Sequence, residues 1–175
     1  LLIISPLTYM YVDQWYLLHE PMFSCFHYIG LLLIQNIGYF FVHREMHRNR
    51  ILYKHHNFHH NFDKDLYPSV GNAVSSIEFI IAYVFPFILG GFILKPTEIT
   101  YLISIGTISI LNLAIHTNEL NGKKWIPGLI SPSKHIIHHE KCTKNYAAPL
   151  IDIDKINEYV WIEHDNKNDY KSLQK

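Results

Sequence analysis

Three tight groups of histidines are the residues of this chain whose type and spacing could do chemistry. They are His43-Arg-Glu-Met-His47, His56-Asn-Phe-His59-His60 and, far downstream, His135-Ile-Ile-His138-His139. Residues three and four apart share one face of a helix, so each group can aim two or three imidazoles at a single point. Neutral imidazole is the commonest protein ligand for metal ions. A single histidine would more simply be a hydrogen-bonded core residue or a surface group. Here eight of 13 histidines fall into such units, and a ninth, His116, stands between apolar residues. The combination points to one shared dinuclear metal site. Cys25 and Cys142 form no CxxC pair, which excludes a thiolate site and argues against a disulfide framework. His19, His27 and His164 belong to no group.

The elements that must position these groups are apolar. At 175 residues the chain is one domain by size, with 49% apolar and only 17% charged residues, against about 25% charged in an average soluble domain. Formal charge is zero, so there is no basic footprint for nucleic acid. No Lys or Arg precedes Arg44, and between Glu78 and Ile115 the only charges are Lys95 and Glu98. Crossing a bilayer takes about 20 mainly apolar residues in a helix. Three stretches meet that need, at about 22–42, 77–94 and 99–115, the last two joined by Lys95-Pro96-Thr97-Glu98 with Thr97 as a helix N-cap. The soluble alternative makes them buried helices, or strands where isoleucine is dense, as from Ile103 to Ile110.

Charge placement separates the two readings. If the chain crosses after Val42 and returns through a hairpin of the other two spans, residues 43–76 and 116–175 share one side. That side then holds every Lys and Arg except Lys95, the positive-inside pattern that marks the cytoplasm. The same topology brings all the histidine groups to one membrane face. The expected architecture is therefore an all-α integral membrane helical bundle with a cytosolic, histidine-rich, metal-binding cap. Leu1 to Leu18 is apolar, with Tyr9, Tyr11, Trp15 and Tyr16 suited to an interfacial belt, but Pro6 and Asp13 weaken it as a span; the expectation is a chain truncated at its N-terminus. Residues 152–175 read as a polar C-terminal tail.

Nine neutral donors would leave two divalent ions with most of their charge, unlike carboxylate-bridged sites. Imidazole suits iron, zinc and copper alike, so residue types leave the metal open. The surroundings narrow the chemistry: a site at the ends of membrane helices faces lipids, whose reactive positions are C–H bonds. Oxidising those needs a redox metal and dioxygen.

The run Tyr39-Phe-Phe-Val-His43-Arg-Glu-Met-His47, then Leu52-Tyr-Lys-His-His56-Asn-Phe-His59-His60, Pro68-Ser69, Glu78, His116-Thr-Asn118, His135-Ile-Ile-His138-His139 and Asn145-Tyr146-Ala147 resembles the fatty acid hydroxylase/sterol desaturase superfamily over about residues 30–150. The resemblance implies a non-haem di-iron enzyme at the cytosolic face of an endoplasmic-reticulum-type membrane. It implies O2 and electrons from cytochrome b5 or a similar carrier, and a lipid that is hydroxylated or desaturated. Carried over by position, it makes His43, His47, His56, His59, His60, His116, His135, His138 and His139 the metal ligands, with no further catalytic side chain.

Departures from the family pattern are specific. Fatty acid 2-hydroxylases of the superfamily pair the middle histidine with another four residues on, where this chain has Leu120; either Asn118 or a water takes that place, or one metal is held less completely. The His-Pro often found before the family's acidic residue is missing ahead of Glu78, and the customary Trp-Asp ending is replaced by Ile151-Asp-Ile-Asp154. Glu78 and Glu140 are candidates to orient ligand imidazoles through their free N–H groups. Cys142 is expected to stand apart, and Arg44, Arg48, Arg50 and Lys54 to be a solvated flank. Two rival readings stay open. One is a non-redox zinc protein or hydrolase with Glu45 or Glu140 as base; the other is a non-catalytic relative, suggested by Leu120.

Overall fold

In the computed structural model, which describes residues 22–62 and 66–155, the first helix, α1 (Cys25–Arg48), opens at Ser24, whose hydroxyl accepts from the His27 N–H. It stops at Asn49, which has extended backbone angles and caps the next helix, α2 (Arg50–His60), by accepting from the Ile51 and Leu52 N–H groups. That one residue turns the chain so that the histidines at the end of α1 face those of α2. A 3-10 turn, Pro68–Asn72, leads to α3 (Ser76–Leu94), which contains a wide π turn at Phe79–Val84. Lys95 ends α3 in the left-handed region, and Thr97 caps α4 (Glu98–Ile115) as its position predicts. A second 3-10 turn, Asn118–Leu120, and α5 (Pro132–Lys141) follow, and residues 153–155 are again helical. The Ile-rich run is helical, not a strand.

Helices α1, α3 and α4 are long and apolar enough to cross a membrane, and a third or less of each apolar stretch is buried against the rest of the chain. The pattern is inside-out. Phe26, Ile29, Leu33, Ile37 and Phe41 form an exposed stripe at helical spacing along α1, with Phe26 77% exposed, while Gln35, Asn36, His43 and His47 on the same helix are buried. A water-soluble helix would reverse that arrangement. The first helix also runs past the expected end at Val42 to Arg48, which is what carries His43 and His47.

Helices α1 and α3 pack closely. A Cβ on Gly38 would lie 2.9 Å from Cβ and Cγ of Pro86, the small-residue contact that lets apolar helices approach where lipid supplies no hydrophobic drive. Pro86 has no N–H for the Ala82 carbonyl four residues back. The chain widens at that turn, and Gln35 of α1 donates to the Ala82 carbonyl instead, at 3.5 Å. At the end remote from the histidines, Thr97 Oγ1 donates to the Met22 carbonyl at 2.6 Å, and Ser24 N–H donates to Thr100 Oγ1 at 2.9 Å. That end of the bundle is thus tied.

Between the helices two non-helical pieces reach down into the bundle. Ile130 N–H donates to the Leu150 carbonyl at 2.7 Å, and Leu129 bridges Ile151 antiparallel. Leu150 is buried with Leu31, Phe87, Tyr101 and Ile108. Backbone at such depth must be fully paired, and Asn36 completes the pairing: its Oδ1 accepts from Ile151 N–H at 2.8 Å and its Nδ2 donates to the Ile151 carbonyl at 3.3 Å. Asn36→Leu, close in size, is expected to strand the Ile151 N–H, whereas the Ile151 carbonyl keeps the Ile153 N–H at 2.9 Å, and to lower stability by about 1–3 kcal/mol, measured by thermal unfolding in detergent.

The stretch expected to be a tail from 152 begins with anchored residues. Asp152 pairs with Lys134, and Asp154 is buried and accepts from Ala147 N–H. Residues beyond 155, and the N-terminal stretch 1–18, lie outside the described residues.

Candidate metal centre

The C-terminal ends of α1 and α4 and the N-terminal end of α3 meet at one end of the bundle, with α2 and α5 across it. All nine candidate histidines are buried there, and their ligand atoms form two groups, each with every atom within 4.8 Å of the others. One group is His43, His47, His56, His60 and His138; the other is His59, His116, His135 and His139. The expectation that each HxxHH unit aims at one point is thereby corrected. In α2, His56 and His60 enter the first group and His59 the second; in α5, His135 and His139 enter the second and His138 the first. Residues four apart differ by about 40° around a helix, while the adjacent third and fourth positions differ by about 100°. Each unit therefore divides its imidazoles between two neighbouring positions.

Hydrogen bonds settle which ring nitrogen faces inward. His43 Nδ1–H donates to the Tyr146 carbonyl at 2.7 Å and His138 Nδ1–H to the Lys144 carbonyl at 2.8 Å. His116 Nδ1–H donates to the Asn112 carbonyl at 2.7 Å, one of the carbonyls that the end of α4 leaves without a helical partner. His56 Nδ1–H donates to Glu78 Oε1 at 2.8 Å, both side chains fully buried. A carbonyl can only accept, so in the neutral rings of His43, His116 and His138 the proton is on Nδ1 and Nε2 is a bare lone pair, as it is in His56 with Glu78 ionised. Yet His43 Nε2 and His56 Nε2 are 3.0 Å apart, and His138 Nε2 is buried without a hydrogen-bond partner. Two lone pairs at that distance repel unless a cation lies between them. The arrangement fits a metal.

The spacing says more. His56 Nε2 lies 3.0, 3.0 and 2.9 Å from the Nε2 atoms of His43, His47 and His60. In the second group the successive distances His59, His116, His135, His139 are 3.2, 2.9 and 3.2 Å. Nitrogens about 2.1 Å from one ion are about 3.0 Å apart at right angles and about 3.4 Å apart at the tetrahedral angle. The first group, with five donors, matches right-angled, higher coordination. Burial also holds the ligands in the neutral form that binds metal: it pushes His116 and His138 down to about 4, and His56, His59, His60, His135 and His139 well below the usual histidine range, with neighbouring imidazoles adding to the effect for His138 and these five.

Other candidates fall differently. Glu78 backs His56, but Asn118, Glu45 and Glu140 are exposed, and neither Asn118 nor Glu140 bonds a cluster histidine. No histidine partner for His116 could come from position 120 along a helix, because α4 ends at Ile115 and Leu120 closes a separate 3-10 turn. The second group holds four imidazoles without it. Cys142 does not stand apart: its Sγ is 3.4 Å from His60 Nδ1. Gly71, Asn112, Lys144 and Tyr146 escape a reading of side-chain types, because three of them act through backbone carbonyls and one through having no side chain. His55 is half-buried outside both groups.

Comparison with known proteins agrees with this geometry. An Arabidopsis thaliana protein that carries the name of a Delta(7)-sterol-C5(6)-desaturase is 29% identical over 161 residues, covering 90% of this chain and 56% of the relative. The alkylglycerol monooxygenase of Homo sapiens is 27% identical over 155 residues, covering 85% of this chain and 34% of the relative. The chain thus spans about half of the first relative and a third of the second. No solved structure matches. The model of the family described as fatty acid hydroxylase matches residues 28–158, which include all nine histidines, Glu78 and the loop that orients His43 and His138, and the chain belongs to that family.

Proposed function

We propose that this chain is an integral membrane lipid oxidoreductase whose nine histidines hold two iron ions and which hydroxylates or desaturates a sterol or an acyl or alkyl chain. The observation that carries the proposal is the pair of abutting all-histidine groups at one end of an apolar bundle. Five donors at right-angled spacing exceed what a closed tetrahedral zinc site takes. Glu45 and Glu140, the acids a zinc hydrolase would use as base, are exposed, and Glu78 sits behind His56 rather than among the ligand atoms.

When bound, an iron pair supplies the O2 activation that oxidation of an unactivated C–H bond requires. The chain's own groups hold and orient. His43, His56, His116 and His138 are fixed through Nδ1 so that each presents a lone pair, and the apolar bundle presents the site to lipid while excluding water. Electrons come from a cytochrome b5-like carrier, and the positive-inside pattern supports a cytosolic site in an endoplasmic-reticulum-type membrane. The two relatives name a sterol and an alkylglycerol, so the chain is to be tested on both and on a fatty acyl lipid. The protein in nanodiscs, loaded with Fe2+ without oxygen, is given O2, reductase and carrier. Oxygen uptake matched by an oxidised lipid is expected. Uptake without product from any of the three lipids, by a preparation retaining two ions, would sink the reading.

A further inference from the structure

Asp154 lies outside the histidine groups, 8% exposed, and its Oδ2 accepts a hydrogen bond from Ala147 N–H at 2.7 Å. The other end of the same peptide unit is the Tyr146 carbonyl, which accepts from His43 Nδ1–H, also at 2.7 Å. One planar peptide therefore has a carboxyl group at its N–H and a candidate ligand imidazole at its C=O. We infer that Asp154 is a positioning residue for His43, acting through the Tyr146–Ala147 peptide much as Glu78 acts directly on His56.

The physical reason is polarisation along a short chain of hydrogen bonds. A carboxylate drawing on the N–H makes the carbonyl of that amide a stronger acceptor, and linked hydrogen bonds in a low-dielectric interior strengthen one another by about 10–30% each. A carbonyl that holds Nδ1–H more strongly makes Nε2 the better donor to a metal and fixes the plane of the ring. The peptide is rigid, so the position of Asp154 also sets the direction of the carbonyl. His43 and His56 face each other, Nε2 to Nε2 at 3.0 Å; on this reading both are backed by a carboxyl group, one directly and one through an amide. Asp154 also takes the Tyr146 backbone N–H, so it holds the loop on both sides of the Tyr146 carbonyl. Its neighbour Asp152 takes the Lys134 and Lys155 ammonium groups, and Asn145 Nδ2, by donating to the Lys134 carbonyl, fastens the loop to α5.

The test uses the full chain in detergent or nanodiscs, titrated with Co2+ and followed by visible absorption and bound-ion count. Asp154→Asn keeps the shape and an acceptor oxygen for Ala147 N–H but removes the charge. It is expected to melt like the wild type, to hold one of two ions about 10-fold more weakly, and to shift that ion's absorption bands. Glu78→Gln should shift the bands of the same ion, and Asp152→Asn should titrate like the wild type. Asp154→Asn with wild-type affinity and bands overturns the inference. So does an Asp154→Ala variant that melts lower and weakens both ions alike, since a loop latch would do that; should this variant not fold, Asp154→Asn decides. The inference rests on the two-ion reading. A wild type that takes up no Co2+ overturns both, whereas a two-ion wild type with an indistinguishable Asp154→Asn overturns this inference alone.

Discussion

His56→Ala is expected to abolish lipid oxidation and to release one of two bound ions while the other stays. His56 is the hub of the first group: its Nε2 lies within 3.0 Å of three other imidazole nitrogens, and its Nδ1–H holds Glu78. The substitution removes a ligand, where loss of a group that merely orients a ligand already costs about 10–100-fold in metal affinity or activity. It also takes from the fully buried Glu78 its one side-chain partner, leaving the carboxyl with only the Ser75 backbone N–H. That adds about 1–3 kcal/mol of instability. Metal content by mass spectrometry and melting temperature measure the two effects separately. His59, His116, His135 and His139 do not depend on His56 for their geometry, so a variant that loses both ions while remaining folded would contradict the division into two groups.

The second large effect comes from a residue with no chemistry of its own. A Cβ on Gly71 would lie 2.9 Å from His116 Nδ1, 3.0 Å from Asn112 Nδ2 and 3.2 Å from the Asn112 carbonyl. Those atoms are not free to yield. Asn112 Nδ2 donates to the Gly71 carbonyl at 2.8 Å, and the Asn112 carbonyl holds the ring of His116. Gly71→Ala should therefore push the Pro68–Asn72 turn away from α4 and tilt one ligand, costing about 1–3 kcal/mol of stability and about 10–100-fold in affinity for the second ion only. Stepwise metal titration reads this directly. Gly106→Ala is the control, because a Cβ there meets nothing within 4 Å; equal metal loss in the two variants would show that the close approach at Gly71 is not what matters.

These two residues also show what a sequence can and cannot disclose. His56 is legible because its group repeats at helical spacing, a local property that needs no knowledge of the fold. Gly71 is illegible because its importance depends on Asn112 and His116, about 40 residues away, and nothing near it in the chain marks that contact. The Tyr146 and Lys144 carbonyls are hidden for a related reason: every residue has a carbonyl, and only the folded loop selects two of them. Glu78 is visible as an acid at the edge of an apolar stretch, whereas Asn118 and Glu140, equally plausible by spacing, end up exposed once α4 stops at Ile115 and α5 turns that face outward.

By itself the sequence determined the histidine groups, the helical and apolar character of the elements, and the return of the chain that lets groups about 75 residues apart share one end of a bundle. Those follow from composition and from a periodicity set by 3.6 residues per turn. The tertiary structure alone decided how nine imidazoles divide into five and four, which nitrogen each presents, and which acid and backbone carbonyls hold them. Such outcomes depend on the rotation of each helix about its axis and on hydrogen bonds between distant segments, such as Asp154 through one peptide to His43. Spacing along a chain fixes neither.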